Sequence, residues 1–332
     1  MLNTAIIGAG GIALKHAEAL MRIPDVRVAY VLDPNVNNAR AVSDICGAKI
    51  VDSIDKILDD VQMIHLLTPP SKRIMYAEPA MKAGIHVLCE KPIASISADG
   101  EKLRSLTREN NVIFMTAFNM RFRPGYLALQ NDVISGRLGD VISIWSYRIG
   151  PGSGFNAPLG DSWRTEPGLV CGMTIESLSH DIDMIRGFGL DIESVFAWVK
   201  GSRADLPDFD NNAQLIMHLS NGGSAVINAS WSSHMPMSSR GIIGTKGTAS
   251  IEGDGFFDFM KYRVVTNECD EMLEVNDPFD SESYYTENVY FIDCVKNGKE
   301  PMVNVDSGVI ALKVSLAALE SAKTGKLVRI KH

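Results

Sequence analysis

Three short stretches of this 332-residue chain carry residue types whose spacing can do chemistry. The first is Gly8-Ala9-Gly10-Gly11-Ile12-Ala13, a G-x-G-x-x-G/A pattern between a strand-like apolar run and a helical one. In that setting the first glycine makes the turn and the second admits a pyrophosphate. The small third residue lets helix and strand pack closely. The helix opening then offers unpaired N–H groups and a positive dipole end to the phosphates. Asp33 ends the next strand-like run 20 residues after Ala13. A carboxylate there accepts a ribose 2′-hydroxyl and repels a 2′-phosphate. No Arg or Lys follows it until Arg40, so NAD is favoured over NADP.

The second stretch is Glu90-Lys91-Pro92, directly after the strand-like His86 to Cys89. Ligands collect at the carboxyl ends of strands in open α/β sheets. A lysine placed there can hydrogen-bond a substrate hydroxyl and stabilise negative charge as its proton leaves. A surface ion pair before a proline turn fits the same residues. Thr68-Pro69-Pro70, after another strand, reads as a stiff turn or as a wall beside a nicotinamide. The third stretch centres on His180, with Glu176 four residues before and Asp183 three after. On one helix all three share a face, where a carboxylate can orient an acid–base histidine. A structural charge cluster fits equally well. A metal site fits less well, because no second His or Cys cluster completes a coordination set.

These residues need elements to position them. From Leu2 to Ala117, short β-branched runs alternate with helical segments. Strands are predicted at 6–7, 26–32, 50–51, 63–67, 86–89 and 112–116, with helices near 12–23, 35–46, 53–58, 73–83 and 97–109. Such alternation implies a doubly wound parallel sheet. After a helix from Pro124 to Ser135 the pattern changes. Residues 150–170 form a Gly/Pro-rich loop long enough to be functional, and a helix is expected from about Thr174 to Arg186. Strands follow at 194–199, 213–219, 224–231 and 248–251, with Asn221-Gly222 as a hairpin turn. Helices near 284–296 and 306–323 and a strand at 328–330 end the chain. This half reads as an α+β domain with a largely antiparallel sheet.

Composition narrows the function classes. With 32 Lys plus Arg against 40 Asp plus Glu, the net charge of −8 argues against nucleic-acid and anionic-membrane partners. No stretch approaches the roughly 18 apolar residues of a membrane span. Hydrophobic residues at 45% and charged ones at 22% are ordinary globular values. The five cysteines form no Cys-x-x-Cys pair. An N-terminus without a basic, long apolar leader adds to the expectation of a cytoplasmic protein with reduced thiols.

Taken together, the glycine loop, Asp33, the Thr68-Pro69-Pro70 turn and the run from Ala83 to Pro92 resemble the Gfo/Idh/MocA oxidoreductase family. Phe118 to Pro124, Gly136-Arg137-Leu138-Gly139, Glu176 to Asp183, Gly244-Thr245-Lys246-Gly247 and Ala317 to Gly325 extend the resemblance over nearly the whole chain. It implies an NAD-binding Rossmann domain over residues 1–122. Residues 123–332 would then form a substrate-binding and oligomerisation domain with a large open sheet. By the same resemblance, Lys91 binds the reacting hydroxyl and His180 is the acid–base residue. Glu176 stands where many members have Asp, and Arg73 where many have His. Gly8, Gly10, Gly11, Ile12, Asp33, Thr68, Pro69, Glu90 and Lys91 would hold the cofactor. Trp163-Arg164 would lie near the nicotinamide, and Asn119 and Arg121 would line the substrate cleft. The strand Ser194 to Val199 is apolar at both parities. That is consistent with both faces being covered, one of them by a second subunit in a dimer or tetramer. The expected activity is NAD-dependent oxidation of a secondary alcohol of a sugar, cyclitol or sugar derivative. A non-catalytic NAD and metabolite sensor, or a redox-neutral NAD-dependent glycosidase, are the alternatives.

Overall fold

The computed structural model describes residues 1–151, 171–202, 206, 208–254, 259–277 and 282–331. The described chain divides into two compact units, Met1–Asn119 with Ser281–Leu312, and Met120–Asp280 with Lys313–His332. The division after Asn119 lies close to the change of pattern in the sequence. A single boundary at residue 122, however, does not provide for the return of residues 281–312 to the first unit.

The first unit begins β1 (Leu2–Ile7), α1 (Gly11–Met21), β2 (Val26–Leu32), α2 (Val36–Cys46), β3 (Lys49–Val51). It continues β4 (Met63–Leu66), α3 (Arg73–Lys82), β5 (His86–Glu90), α4 (Ser97–Glu109), β6 (Phe114–Ala117). The strands form one parallel sheet in the order β3-β2-β1-β4-β5-β6. Every residue of β4 and β6 is buried, as expected for strands covered on both faces. Strand order reverses between β1 and β4, the switch point where such sheets bind ligands. The side chain of Asn35 caps α2 by accepting from the N–H groups of Asn37 and Asn38, and Gly47 ends it with φ +67°. The helix expected over 53–58 is only a 3₁₀ turn, Ile54–Lys56.

The second unit starts with α5 (Pro124–Ile134), whose proline sits at the first helical position where no N–H is needed. Then come β7 (Val141–Pro151), α6 (Met173–Glu176), α7 (Ser179–Gly187), β8 (Ile192–Lys200), β9 (Asn212–Leu219) and β10 (Ser224–Ser230). They are followed by β11 (Ser232–Gly244), β12 (Gly247–Gly253), β13 (Phe259–Thr266) and β14 (Asp270–Asp277). Chain order ends with α8 (Glu282–Asn297), α9 (Val305–Thr324) and β15 (Val328–Arg329). The sheet order is β14-β13-β12-β11-β7-β10-β9-β8-β15, antiparallel throughout except for the parallel pair β7 and β10. The predicted class therefore holds: a doubly wound parallel sheet plus a large, mostly antiparallel one. Four of its strands, β7, β11, β13 and β14, were not anticipated from the sequence. Asn221-Gly222 does make the β9–β10 turn, with Gly222 at φ +83°.

Candidate active site

The glycine loop of the first unit is shaped for a dinucleotide. Gly8 has φ +93°, and a Cβ there would lie 2.7 Å from the Thr68 nitrogen, so only glycine fits between β1 and the turn after β4. Gly10 is the cap residue of α1, and no side chain accepts from the helix's first N–H groups. Both Gly10 and Gly11 face open space where a Cβ would project. An uncapped, open helix N-terminus is an anion site. Ile12 is in the first turn, and Ala13 is fully buried, permitting the close packing the motif requires. Asp33, just past β2, accepts from Ala9 N–H at 2.6 Å and Asn35 N–H at 2.8 Å. The carboxylate is thereby fixed beside the loop with lone pairs to spare for a ribose hydroxyl. These residues fit NAD.

Thr68 and Pro69 follow β4, and Arg73 ties that turn to the next one. Its Nε donates to the Thr68 carbonyl at 3.1 Å and its Nη2 to the Lys91 carbonyl at 3.4 Å. This chain therefore places a buried guanidinium that braces two strand ends. Glu90 is 6% exposed at the end of β5; its Oε2 accepts from the Lys91 N–H at 2.9 Å. Burial pushes its carboxyl up, but His16, Lys91 and Arg73 outweigh that and hold it below the ordinary range. Asn119, also in this unit, is buried and donates to Ser283 Oγ at 3.2 Å.

In the second unit the expected continuous helix over 174–186 is broken at Ser177 and Leu178. Asp210 accepts from the Thr174 N–H and hydroxyl at 2.8 and 2.6 Å, starting α6. Arg148 then takes the Ser177 carbonyl at 2.9 Å and its hydroxyl at 2.7 Å, which diverts the chain before α7. Glu176 ends α6 and the buried His180 lies in the first turn of α7, so the two do not share one straight helix face. Asp183 is not His180's orienting group on that face. Its oxygens accept from Arg121 Nε at 2.6 Å and Nη2 at 3.2 Å. Arg121 is thus committed to a buried ion pair, and the geometry gives no support to the expectation that it meets substrate. Trp163 and Arg164 lie outside the described residues.

Beneath α7, Asp181 binds Arg148 at 2.8 Å, Arg240 at 3.0 Å and Ser146 at 2.7 Å, all fully buried. Burial would raise the Asp181 carboxyl, yet the two guanidinium groups outweigh it and leave it below the ordinary range. Among the described residues no group of three His, Cys, Asp or Glu side chains is placed to hold a metal ion. Likewise, no helix of the described residues is long and apolar enough to cross a membrane.

Residues 2–118 match the model of an oxidoreductase family with an NAD-binding Rossmann fold, and residues 126–250 match the GFO/IDH/MocA C-terminal domain. The chain belongs to the Gfo/Idh/MocA oxidoreductase family. Inositol 2-dehydrogenase of Rhizobium meliloti is 26% identical, over 98% of both chains. Myo-inositol 2-dehydrogenase of Thermotoga maritima is 27% identical, over 100% of this chain and 99% of its own. A levoglucosan dehydrogenase solved with NADH and levoglucosan shares the fold at a TM-score of 0.88, with 20% identity over 99% of both chains. The Gfo/Idh/MocA chain is an NAD-binding oxidoreductase. Sequence reasoning passed over four residues of its first unit that converge on the site: His16, His65, Glu287 and Asn288. The available signal was polar Glu287 and Asn288 standing in line with Tyr284, Phe291 and Ile292 on a helix that buries all five.

Proposed function

We propose that this protein is an NAD-dependent dehydrogenase for a secondary alcohol of a sugar, cyclitol or sugar derivative. The observation that carries the reading is Lys91 at the carboxyl end of β5, in the unit that holds the glycine loop. The whole-length likeness to two inositol dehydrogenases supports the substrate class. Bound NAD supplies a nicotinamide that accepts hydride. His180 takes the hydroxyl proton, a transfer suited to an imidazole near neutral pH. Lys91 holds the reacting oxygen and stabilises its developing charge. Glu176, at the end of α6, polarises His180 across the break between the helices.

The protein works in the cytoplasm as a homo-oligomer built on the second unit's sheet. Phe196 and Trp198 of β8 are 43% and 65% exposed, and Phe196 pairs across the ladder with Ile216, 57% exposed. The opposite parity, Val195 and Ala197, is buried. An exposed apolar sheet face of this kind favours a covering partner, and a second copy of the chain is the one proposed.

The test is NADH formation, read by absorbance, from NAD and a panel of inositols, sugars and glycosides. Oxidation of one class, lost in Lys91→Ala, is the expected result. NAD binding without NADH formation from any of them would turn the assignment toward a sensor or a redox-neutral glycosidase.

A further inference from the structure

Glu287 and Asn288 lie side by side on α8, both fully buried in the first unit. The Asn288 amide has one possible orientation. The carbonyl of Tyr284 can only accept, so the group 2.8 Å from it is Nδ2. That Nδ2 also donates to His16 Nδ1 at 3.1 Å, and Oδ1 accepts from His65 Nε2 at 2.6 Å. Burial, with His16 adding to it, pushes His65 down to about 3, so its ring carries a single N–H. With that N–H given to Asn288, His65 Nδ1 is left as an acceptor 2.9 Å from the Thr4 hydroxyl, whose one hydrogen it shares with the Met63 carbonyl at 3.1 Å. His16 accepts at Nδ1 and so presents its Nε2–H to Glu90 Oε1 at 3.5 Å. His65, Asn288 and His16 therefore form a chain in which one N–H of each is directed toward Glu90.

Glu287 has the opposite environment. Neither of its oxygens has a hydrogen-bond partner among the described residues, and its side chain is 0% exposed. An unpaired carboxylate in such a place is far too costly to persist. Burial and the neighbouring Glu90 charge both push its carboxyl well above the ordinary range. The titratable and charged groups that face Glu90 are His16 from α1, Arg73 from α3, Lys91 beside it and Glu287 from α8.

We propose that Glu90 and Glu287 form a buried carboxyl pair holding one charge and one proton. The chain from His65 places the charge on Glu90, Glu287 keeps the proton, and the pair holds Lys91 as an ammonium. Asn288 and Glu287 are then positioning residues that act through Glu90. Only the consequence at Lys91 rests on the dehydrogenase reading; the state of the pair stands apart from it.

Infrared spectra of the full-length protein at pH 8, with and without NAD, test the pair directly. A protonated-carboxyl C=O band is expected in the wild type and is expected to vanish in Glu287→Gln, an isosteric change. Absence of the band at pH 8, or its survival in Glu287→Gln, would overturn the proposal. The relay is tested by the pH profile of kcat in Asn288→Leu. Without the amide that fills its Nδ1, His16 no longer has its Nε2–H fixed on Glu90. A carboxylate that loses a donor has its pKa raised, so the acid limb should move up by about one pH unit while KM for NAD stays within about twofold. A merely structural role lowers kcat alike at every pH, and an unmoved limb would sink the relay. A wild type that oxidises no alcohol would refute the functional reading, and the infrared result would still decide the pair.

Discussion

Arg121 and Asp183 hold each other in a two-pronged ion pair, at 2.6 and 3.2 Å, within the second unit. A fork-shaped guanidinium matched to both carboxylate oxygens is a strong arrangement. Its cost appears when one partner is removed, since the other stays buried and charged. Arg121→Ala is expected to lower unfolding stability by about 3–5 kcal/mol. Replacing both residues with apolar ones of similar size should recover most of that. Chemical denaturation followed by intrinsic fluorescence measures both; a mild effect of the single change would show that solvent reaches the pair.

Lys91→Ala and His180→Ala should each reduce kcat by about 10²–10⁴-fold. In His180→Ala, NAD affinity, followed by quenching of tryptophan fluorescence, should stay close to wild type. A parallel loss of cofactor binding there would contradict the role proposed for His180.

The cofactor loop makes a separate prediction. Gly8→Ala combines a left-handed φ with a Cβ placed against the Thr68 backbone, costing at least about 1–2 kcal/mol in backbone strain alone. Its NAD affinity should fall steeply, whereas Gly10→Ala, at a position facing open space, should keep the fold and lose affinity only through obstruction of the phosphates. Calorimetric titration with NAD, beside thermal melts of the unliganded proteins, separates the two effects.

His65 gives the acid sensitivity a sign. Its folded pKa is lowered to about 3 from 6.5, so between those values the unfolded chain binds the extra proton. Its contribution to stability is complete above about pH 6.5 and is lost progressively as pH falls toward 3. At 0% exposure the effect amounts to a few kcal/mol, on the order of one per pH unit. His65→Asn should flatten the stability curve in that window. An unchanged slope between pH 6 and 4 would mean that His65 titrates normally.

Trp198→Glu, on the exposed face of β8, should shift the sedimentation profile toward the single chain. NAD binding should be preserved, because the loop lies in the other unit. An unaltered assembly, or a wild type already monomeric, would remove that face from the interface.

The first unit was legible because its chemistry is local. Gly8, Gly10 and Ala13 announce a turn and a helix within six residues, and β4 and β6 are apolar at every position or nearly so. The second sheet was less legible at β7 and β11 for a specific reason. Their inward positions carry Ser146, Arg148, Ser238 and Arg240, all buried, so the apolar alternation that marks a half-buried strand is missing. Asp181 neutralises those guanidinium groups from a distant segment, which no local pattern reveals. β11 also holds Pro236, tolerated where its pairing with β7 shifts register between Ser232 and Met237. The broken helix around Ser177 has the same origin, since Arg148 comes from another strand to take its carbonyl. The roles given to Lys91 and His180 came from the family likeness. The polar chain behind Glu90 went unseen because Asn288 is 272 residues from His16.

That separation bears on how the protein is made. The nucleotide-binding half finishes its strands by Ala117, yet the helix that fills its polar interior ends at Asn297. At roughly 5–20 residues per second, a ribosome needs on the order of 10–35 seconds to cover the distance. Throughout that interval His16 and His65 lack Asn288, so the nascent Rossmann half waits, incomplete, for a segment made only after residues 120–280 of the second unit. Synthesis of the first unit is interrupted by the second, so the first can close only after residues 120–280 exist.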